Sequence, residues 1–299
     1  TARAEKLRSL YEDARAKGLK LDMSRGKPGP EQLDLTLGLL DCVNARDGYC
    51  TDSGVDTRNY GLLDGIPEAK TMFADVLGVD ASQVIVGGNS SLNMMFDYIA
   101  MAYSHGVNGG APWCREEKVK FLCPAPGYDR HFGITEYFGF ELIPVAMTPD
   151  GPDMDEVERY AADPSVKGIW CVPMYSNPDG ITYSDGTVRR FAAMKIGAPD
   201  FRIMWDNAYC IHHLSDTPDT LLNLYDEAKA CGTEDRVVMF ASTSKISFPG
   251  SGVSVMAGSP ATVADVKKRM TYQTIGHDKV NMLRHVRFFK NADGLREHM

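Results

Sequence analysis

The stretch FASTSKISFPGSG, residues 240–252, contains one lysine among small hydroxyl residues directly after an apolar segment. Val237 to Phe240 is short, apolar and rich in β-branched residues, a pattern that predicts a buried strand. Lys245 is therefore expected at the exit of a strand, where open α/β sheets bind ligands. A lysine shielded from water there can lose its proton and act as a nucleophile, although a solvated surface lysine is the commoner occurrence.

Two further polar segments follow predicted strands. MYSNPDG (174–180) follows the apolar run 168–172, and WDNAY (205–209) follows the apolar run 201–204. Because the exits of parallel strands meet at one edge of a sheet, these segments should lie close to the lysine. The sequence therefore predicts a polar cluster formed by Asn177, Asp206 and Tyr209. Taken singly, an Asn-Pro turn and a helix cap are the commoner uses of the first two.

The order of these motifs, Asn-Pro-x-Gly, then Asp-x-x-Tyr, then Ser-x-Ser-Lys, resembles the class I/II aminotransferases of the pyridoxal-phosphate fold-type I superfamily. NYGLLDGIPE (59–68), GNSSLN (88–93) and PAPGYDRHF (124–132) also fit, so the resemblance covers about residues 22–260. Within that superfamily, SRGKP (24–28), PGYDRHF and STSK followed by PGSG resemble the class Ic aspartate aminotransferases.

The resemblance implies an α/β fold, a three-layer sandwich with a mainly parallel seven-stranded sheet and an incomplete small domain. The alternation of predicted strands and helices over more than a hundred residues favours the same architecture, because parallel strands need crossover helices that cover both faces. The implied domains are an N-terminal segment of the small domain with an active-site loop (1–45), the cofactor-binding large domain (46–260), and a helix (261–299) leading into a C-terminal small domain that is expected to be missing from this chain.

By this resemblance the chain binds pyridoxal 5′-phosphate through a Schiff base to Lys245. Asp206 would face the pyridine nitrogen and keep it protonated, which makes the ring an electron sink. Asn177 and Tyr209 would donate hydrogen bonds to the phenolic oxygen, and Tyr128 would stack on the ring. The freed lysine would then move the proton during catalysis. The implied catalytic residues are Lys245, Asp206 and Tyr209.

A phosphate site is predicted where the strand Gln83–Val86 passes through two glycines into the helix Leu92–Tyr103. A helix N-terminus offers unpaired N–H groups and a partial positive charge, which suit a phosphate dianion. Simple N-capping by a serine or asparagine is the alternative. Together with the resemblance, the segment implies cofactor-binding residues at Asn89, Ser90, Ser91, Ser242 and Ser244.

Tyr60 lies in RNYGLLDGIPEAK (58–70), which resembles the family's tyrosine-glycine segment. In that family the tyrosine reaches across a dimer interface to the cofactor phosphate of the neighbouring subunit. Tyr60 therefore implies a homodimer in which it acts in trans, and packing under a turn is the alternative.

Two departures from the family pattern concern arginines. Many members carry an arginine a few residues after the lysine that pairs with the phosphate, whereas here the loop reads ISFPGSG (246–252) and no arginine follows before Arg269. Ser251 is the candidate for that place. The arginine that normally binds the substrate α-carboxylate belongs to the C-terminal portion of the family, and no arginine of this chain can be given that role.

The loop LDMSRGKPGPEQLDL (21–35) corresponds to a segment that crosses the active-site mouth in the family. Gly26 would let the backbone approach the substrate carboxylate, and Arg25 and Lys27 could add positive charge. A solvated basic turn is an equally good interpretation.

Substrate choice is predicted from Arg130, two residues after Tyr128. On the first turn of a helix it would project toward the crevice mouth, where an arginine can fork onto a carboxylate and favour aspartate and glutamate. The alternative is an exposed ion pair with Asp129 or Glu136, which contributes little.

Composition excludes several other classes. A net charge of −8 argues against a general nucleic-acid surface, and no apolar run approaches the length that spans a bilayer. Seven cysteines without a CxxC pair predict reduced thiols, and no secretory leader precedes the first helix, so a cytoplasmic location is expected. The adjacent His212 and His213 lack an acidic or cysteine cluster beside them, so no metal site is expected.

The sequence thus predicts transamination between an amino acid and a 2-oxo acid, with aspartate or glutamate as the donor and 2-oxoglutarate or oxaloacetate as the acceptor. Two alternatives stay open. A lyase or decarboxylase of the same fold type would share every cofactor residue, and a non-catalytic regulator could keep the fold to bind a ligand.

Overall fold

The computed structural model describes residues 2–20 and 26–299, so the prediction made for Arg25 lies outside the described residues. The strands are β1 (Val84–Val86), β2 (Lys120–Ala125), β3 (Glu141–Thr148), β4 (Gly151–Pro152), β5 (Val166–Cys171), β6 (Arg202–Asp206), β7 (Val237–Ser242) and β8 (Ser254–Gly258). The α-helices are α1 (Ala2–Ala16), α2 (Pro30–Asp34), α3 (Pro67–Leu77), α4 (Ser91–His105), α5 (Asp129–Tyr137), α6 (Met154–Ala161), α7 (Asp185–Ala193), α8 (Leu224–Cys231), α9 (Pro260–Gln273), α10 (Lys279–Phe289) and α11 (Ala292–His298).

Within the described residues the strands form one eight-stranded sheet in the order β1-β8-β7-β6-β5-β2-β3-β4. The five central strands from β7 to β3 are parallel, whereas β8 runs antiparallel to β7 and to β1, and β4 runs antiparallel to β3. The predicted mainly parallel sheet is confirmed, but its seven strands are corrected to eight. The two residues of β4 pair with the end of β3 and are too short to show a strand pattern in the sequence.

Alternate residues of the central strands enter two separate hydrophobic cores. On β7, Val237 and Met239 belong to one core, and Val238 and Phe240 belong to the other. Both faces of this strand are therefore buried, as expected for a parallel strand covered by helices on both sides. This packing confirms the predicted three-layer sandwich and explains why the strands read as continuous apolar runs.

The segment after β8 differs from the single helix predicted over residues 261–299. It forms α9 and α10, separated by residues 274–278. Gly276 has φ +152°, which a residue with a side chain rarely adopts, and the Asp278 side chain accepts a hydrogen bond from Asn281 N to cap α10. A glycine with positive φ followed by a new N-cap therefore ends one helix and starts the next.

The first helix, α1, does not pack its apolar side chains. Leu7, Leu10 and Tyr11 are all more than half exposed in α1, and no residue of this helix is buried. All seven cysteines are free thiols, and burial raises the pKa of Cys123 to about 12. Among the described residues, no helix combines the length and apolar character that crossing a bilayer requires.

Candidate active site

The predicted site residues meet at the end of the sheet where the parallel strands finish. Asp206 ends β6, Ser242 ends β7, and Tyr128 caps the N-terminus of α5 just beyond β2. A cavity of about 180 Å³ lies between them. Nine of the residues predicted from the sequence line this cavity: Ser90, Ser91, Tyr128, Asn177, Asp206, Tyr209, Ser242, Ser244 and Lys245.

Lys245 stands on the turn that follows β7. Its Nζ lies 5.0 Å from the centroid of the Tyr209 ring, over the ring face. Such cation–π contacts orient an ammonium group without consuming a hydrogen bond. Lys245 is exposed, so the described part of the chain does not shield it from water as its sequence position predicts.

Asp206 is held by His131, for which the sequence predicted no role. The carboxylate is 5% exposed, and its Oδ2 lies 3.0 Å from Nε2 of His131. His131 is itself buried, stacked on Trp170 at 4.7 Å between ring centroids and in edge contact with Tyr128 at 5.0 Å. His131 fixes one carboxylate oxygen and leaves the other facing away from it. The sequence signal that could have indicated a role for His131 is its spacing, because it is three residues after Tyr128 and so lies on the same side of α5.

The other carboxylate oxygen, Asp206 Oδ1, is buried and has no hydrogen-bond partner among the described residues. A buried carboxylate oxygen without a partner is unfavourable by about 1–3 kcal/mol, and such atoms are rare in folded proteins. Asp206 also lines the cavity. The arrangement fits a ligand that presents a protonated nitrogen to this oxygen.

Two phenols line the same cavity, and both are kept protonated. Burial raises the pKa of Tyr128, with the Lys245 charge as the largest opposing influence. Burial raises the pKa of Tyr209 as well, the Asp206 charge adds to the effect, and Asn177 opposes it. Both side chains can therefore donate a hydrogen bond at neutral pH.

The N-terminus of α4 supplies the predicted anion site. Ser90 is the N-cap residue, but its side chain makes no capping hydrogen bond to the helix. The alternative of simple N-capping therefore does not hold for this serine. Ser242 Oγ and Ser244 Oγ lie 3.0 Å apart, and Ser244 Oγ donates to the carbonyl oxygen of Asn89 at 3.5 Å, beside the N-terminus of α4. Hydroxyl groups and free backbone N–H groups thus lie close together in the cavity wall.

Four predicted site residues lie outside this cavity. Asn89 donates from Nδ2 to the carbonyl oxygens of Pro249 (3.4 Å) and Gly250 (3.3 Å), so its side chain ties down the loop after Lys245. Arg130 is exposed on the first turn of α5, Tyr60 is 83% exposed, and Gly26 lines a neighbouring cavity. No arginine of the described residues lines the first cavity, and Ser251 contacts Asn281 rather than this cavity.

The neighbouring cavity, about 510 Å³, is also lined by Lys245 and Tyr209. Gly26 and Lys27 form part of its wall, which places the predicted mouth loop beside the lysine. His212 also lines it, and both its ring nitrogens are buried without a partner among the described residues. Burial and the nearby Lys245 charge lower the pKa of His212 to about 4, so the ring is neutral at physiological pH.

A family model described as aspartate amino-transferase matches residues 1–299. The chain belongs to the aspartate aminotransferase family. It is 50% identical to a putative aminotransferase of Mycolicibacterium smegmatis over 97% of this chain and 68% of that protein. It is 46% identical to an aspartate aminotransferase of Corynebacterium glutamicum over 99% of this chain and 68% of that protein.

A solved structure of a putative aminotransferase from Corynebacterium diphtheriae superposes on this chain with a TM-score of 0.94 and 47% identity, covering 98% of this chain and 72% of that one. This likeness and the family match confirm the resemblance and the enzyme class inferred from the motifs. Membership of this family implies pyridoxal phosphate as the cofactor. The donor set of the cavity fits that group: a buried carboxylate oxygen for the ring nitrogen, two phenols, a lysine, and a helix N-terminus with serines for the phosphate.

Proposed function

We propose that this aminotransferase uses pyridoxal phosphate held by Lys245 to transfer the amino group of aspartate or glutamate to 2-oxoglutarate or oxaloacetate. The observation that carries the proposal is that His131 holds Asp206 Oδ2 at 3.0 Å, while Oδ1 is buried without a partner among the described residues, beside the cavity that Lys245 also lines. A buried carboxylate oxygen in that setting is matched to a protonated ring nitrogen.

When bound, pyridoxal phosphate supplies an aldehyde that condenses with amines and a ring that accepts the electrons released at the substrate α-carbon. Asp206 would hold the proton on the ring nitrogen, and His131 would keep that carboxylate in position. Tyr209 and Asn177 would donate hydrogen bonds to the ring oxygen, and Tyr128 would cover one ring face.

Lys245 would serve twice. Its amine would anchor the cofactor covalently, and once a substrate amine has displaced it, the free amine would take the proton from the α-carbon and return it at the neighbouring cofactor carbon. The 5.0 Å contact with the Tyr209 ring keeps Nζ beside the phenol that tunes the same site. One residue can therefore anchor the cofactor and carry the proton.

The phosphate would be bound by the N-terminus of α4 with Ser90, Ser91, Ser242 and Ser244. Since no arginine of the described residues lines this cavity, hydrogen bonds and the helix dipole must carry the binding of the dianion. We propose that Tyr60 of a second subunit completes the set. Its 83% exposure leaves the phenol free to reach another molecule.

We also propose that the chain divides into the domains predicted from the sequence and that the enzyme is located in the cytoplasm. The sheet runs from β1 to β8, residues 84–258, which lies inside the proposed large domain of residues 46–260. Residues 1–45 and 261–299 would belong to the connection with a small domain. Seven free thiols are typical of a reducing compartment, so we place the enzyme in the cytoplasm.

Amino transfer from aspartate to 2-oxoglutarate tests the proposal. We expect equal amounts of glutamate and oxaloacetate, formed only when both substrates and pyridoxal phosphate are present. Release of ammonia or carbon dioxide without the acceptor would identify a lyase or decarboxylase, and binding without turnover would identify a regulator. Either result would contradict the proposed function.

Tyr60 acting in trans predicts complementation between two inactive variants. Each Tyr60→Phe homodimer lacks the phenol in both sites, and each Lys245→Ala homodimer lacks the lysine in both sites. In a mixed dimer, one site combines Lys245 from one subunit with Tyr60 from the other, so activity should return. The activity of mixed and re-equilibrated subunits, compared with the separate variants, measures this. Mixed dimers as inactive as their parents would show that Tyr60 does not serve the opposite site.

Arg130 predicts substrate choice. Replacing it with leucine should lower kcat/KM for aspartate by roughly tenfold more than for alanine, because only aspartate loses a partner for its distal carboxylate. Arg130→Lys should fall in between, since lysine keeps the charge but not the planar fork. The two substrates serve as controls for each other within one variant. An equal loss for both would leave Arg130 with a structural role only.

A further inference from the structure

α10 contacts the loop that carries Lys245 through two buried polar side chains on one helix face. His285 is 0% exposed and Asn281 is 7% exposed, and they are four residues apart. Residues at that spacing lie above one another on a helix. Neither has a place in the chemistry proposed above, and the large majority of buried polar groups in proteins are hydrogen-bonded.

His285 binds the loop on both sides of Lys245. Its Nδ1 lies 2.8 Å from the carbonyl oxygen of Asn281, and because a carbonyl only accepts, Nδ1 carries the proton. In the neutral ring Nε2 is then the acceptor, 2.8 Å from Ser247 Oγ and 3.3 Å from Thr243 Oγ1. Thr243 precedes Lys245 by two residues and Ser247 follows it by two, so one imidazole nitrogen holds both flanks of the lysine.

Asn281 binds the far end of the same loop. Its Nδ2 donates to the carbonyl oxygens of Ser251 (3.0 Å) and Gly252 (2.9 Å). The two ends are also joined directly, since Thr243 N donates to Val253 O at 2.8 Å and Val253 N donates to Thr243 Oγ1 at 2.9 Å. Thr243 is therefore the point where the bonds from α10 and from Val253, the residue before β8, converge.

The apolar contacts of the loop do not determine its orientation. Ile246 and Phe248 are partly buried against the core, which holds the loop near the sheet. Apolar burial has no direction, whereas hydrogen bonds weaken steeply away from a linear arrangement. The rotation of the turn, and with it the direction in which Lys245 leaves the backbone, is therefore constrained by hydrogen bonds. Those to His285 and Asn281 are buried, whereas Asn89 binds only Pro249 and Gly250, further along the loop.

We propose that His285 and Asn281 are positioning residues for Lys245, which hold the loop of residues 243–252 in the orientation that points the amine at the cofactor cavity. The inference rests on the proposed function of Lys245. This positioning role links the geometry of Lys245 to α10, which lies beyond the proposed large domain. A displacement of α10 would reach the lysine through the four bonds to residues 243, 247, 251 and 252.

The test compares three variants of the full chain. His285→Phe keeps a ring of similar size and removes both bonds, His285→Gln retains one donor and one acceptor, and Leu283→Ala disturbs the core next to them on the same helix. Hydrogen exchange of the amides of Ile246, Ser247 and Val253 is measured without cofactor. The pH midpoint of the visible absorption is measured with cofactor bound, because it reports the surroundings of the Lys245 nitrogen.

We expect His285→Phe to speed exchange at these amides by roughly tenfold or more and to shift the spectroscopic midpoint, because a buried bond is lost from a loop that can open locally. In His285→Gln, both the exchange rates and the spectroscopic midpoint should stay close to their values in the unmutated protein. Leu283→Ala should lower Tm with neither change. If His285→Phe lowers Tm as Leu283→Ala does and leaves both measurements at their original values, the positioning role is wrong.

Two further experiments distinguish a failure of folding, and a failure of the proposed function, from a failure of the positioning role. If His285→Phe does not fold, Ser247→Ala removes the donor to Nε2 with a smaller change in volume and is subject to the same two measurements. Borohydride reduction of the unmutated protein shows whether Lys245 carries the cofactor. Failure there overturns the proposed function, whereas a labelled Lys245 with unaltered exchange and midpoint in the variants overturns only the positioning role.

Discussion

The variant Lys245→Ala is expected to lose the covalent attachment of pyridoxal phosphate and nearly all transamination. Loss of a general acid and base alone lowers rates by roughly 10²- to 10⁴-fold, and loss of the covalent anchor adds to this. The cavity residues other than the lysine remain, so cofactor can still bind without the link. Visible absorption of the bound cofactor and the rate of amino transfer measure the two effects.

The matched control is Lys195→Ala, which removes an exposed lysine that lines neither of the two cavities at the end of the sheet. It should retain both the absorption and the activity. A Lys245→Ala protein that still holds cofactor in a form that borohydride fixes covalently would show that another lysine forms the link.

Asp206→Asn is expected to bind the cofactor but to exchange the substrate α-proton roughly 10²- to 10³-fold more slowly, the range found when one preorganised electrostatic partner is removed. An amide nearly preserves the shape of the side chain but has no charge to keep the ring nitrogen protonated, so the ring accepts electrons poorly. Exchange of the α-proton of aspartate with deuterated solvent, followed by NMR, measures this step directly.

Asp200→Asn is the control for the loss of a buried carboxylate. Asp200 accepts hydrogen bonds from Trp113 Nε1 at 2.8 Å and from Lys167 Nζ at 3.0 Å, outside the cavity. That variant should lose stability while its exchange rate, measured below its Tm, stays near the original. Undiminished exchange in Asp206→Asn would remove Asp206 from the proton-transfer step.

The sequence predicted the strand exits because the central strands are buried on both faces and so read as apolar runs. Val237 to Phe240 shows this for β7, and the polar residues that follow it end the strand at Ser242 as expected. The family resemblance added the roles, since Asn177 or Asp206 alone is better explained by a turn or a cap. Nine of the predicted residues line one cavity because motifs at strand exits are brought together by the parallel sheet.

Long-range contacts between side chains could not be predicted from local patterns. His131 and Asp206 are separated by 75 positions, and His285 and Ser247 by 38. Each pair depends on how a helix packs against the sheet, which periodicity does not specify. The break between α9 and α10 does have a local signal that the predicted single helix overlooked, because Gly276 and the N-cap residue Asp278 lie between the two helices.

Borohydride reduction of the unmutated protein, followed by digestion and mass spectrometry of the peptides, tests the central claim most directly. If Lys245 anchors pyridoxal phosphate, the peptide spanning residues 245–252 should carry the mass of one phosphopyridoxyl group on its lysine, and no other peptide should carry it in comparable yield. A phosphopyridoxyl group on a different lysine, or none on any peptide of an enzyme that is active with pyridoxal phosphate, would contradict the account.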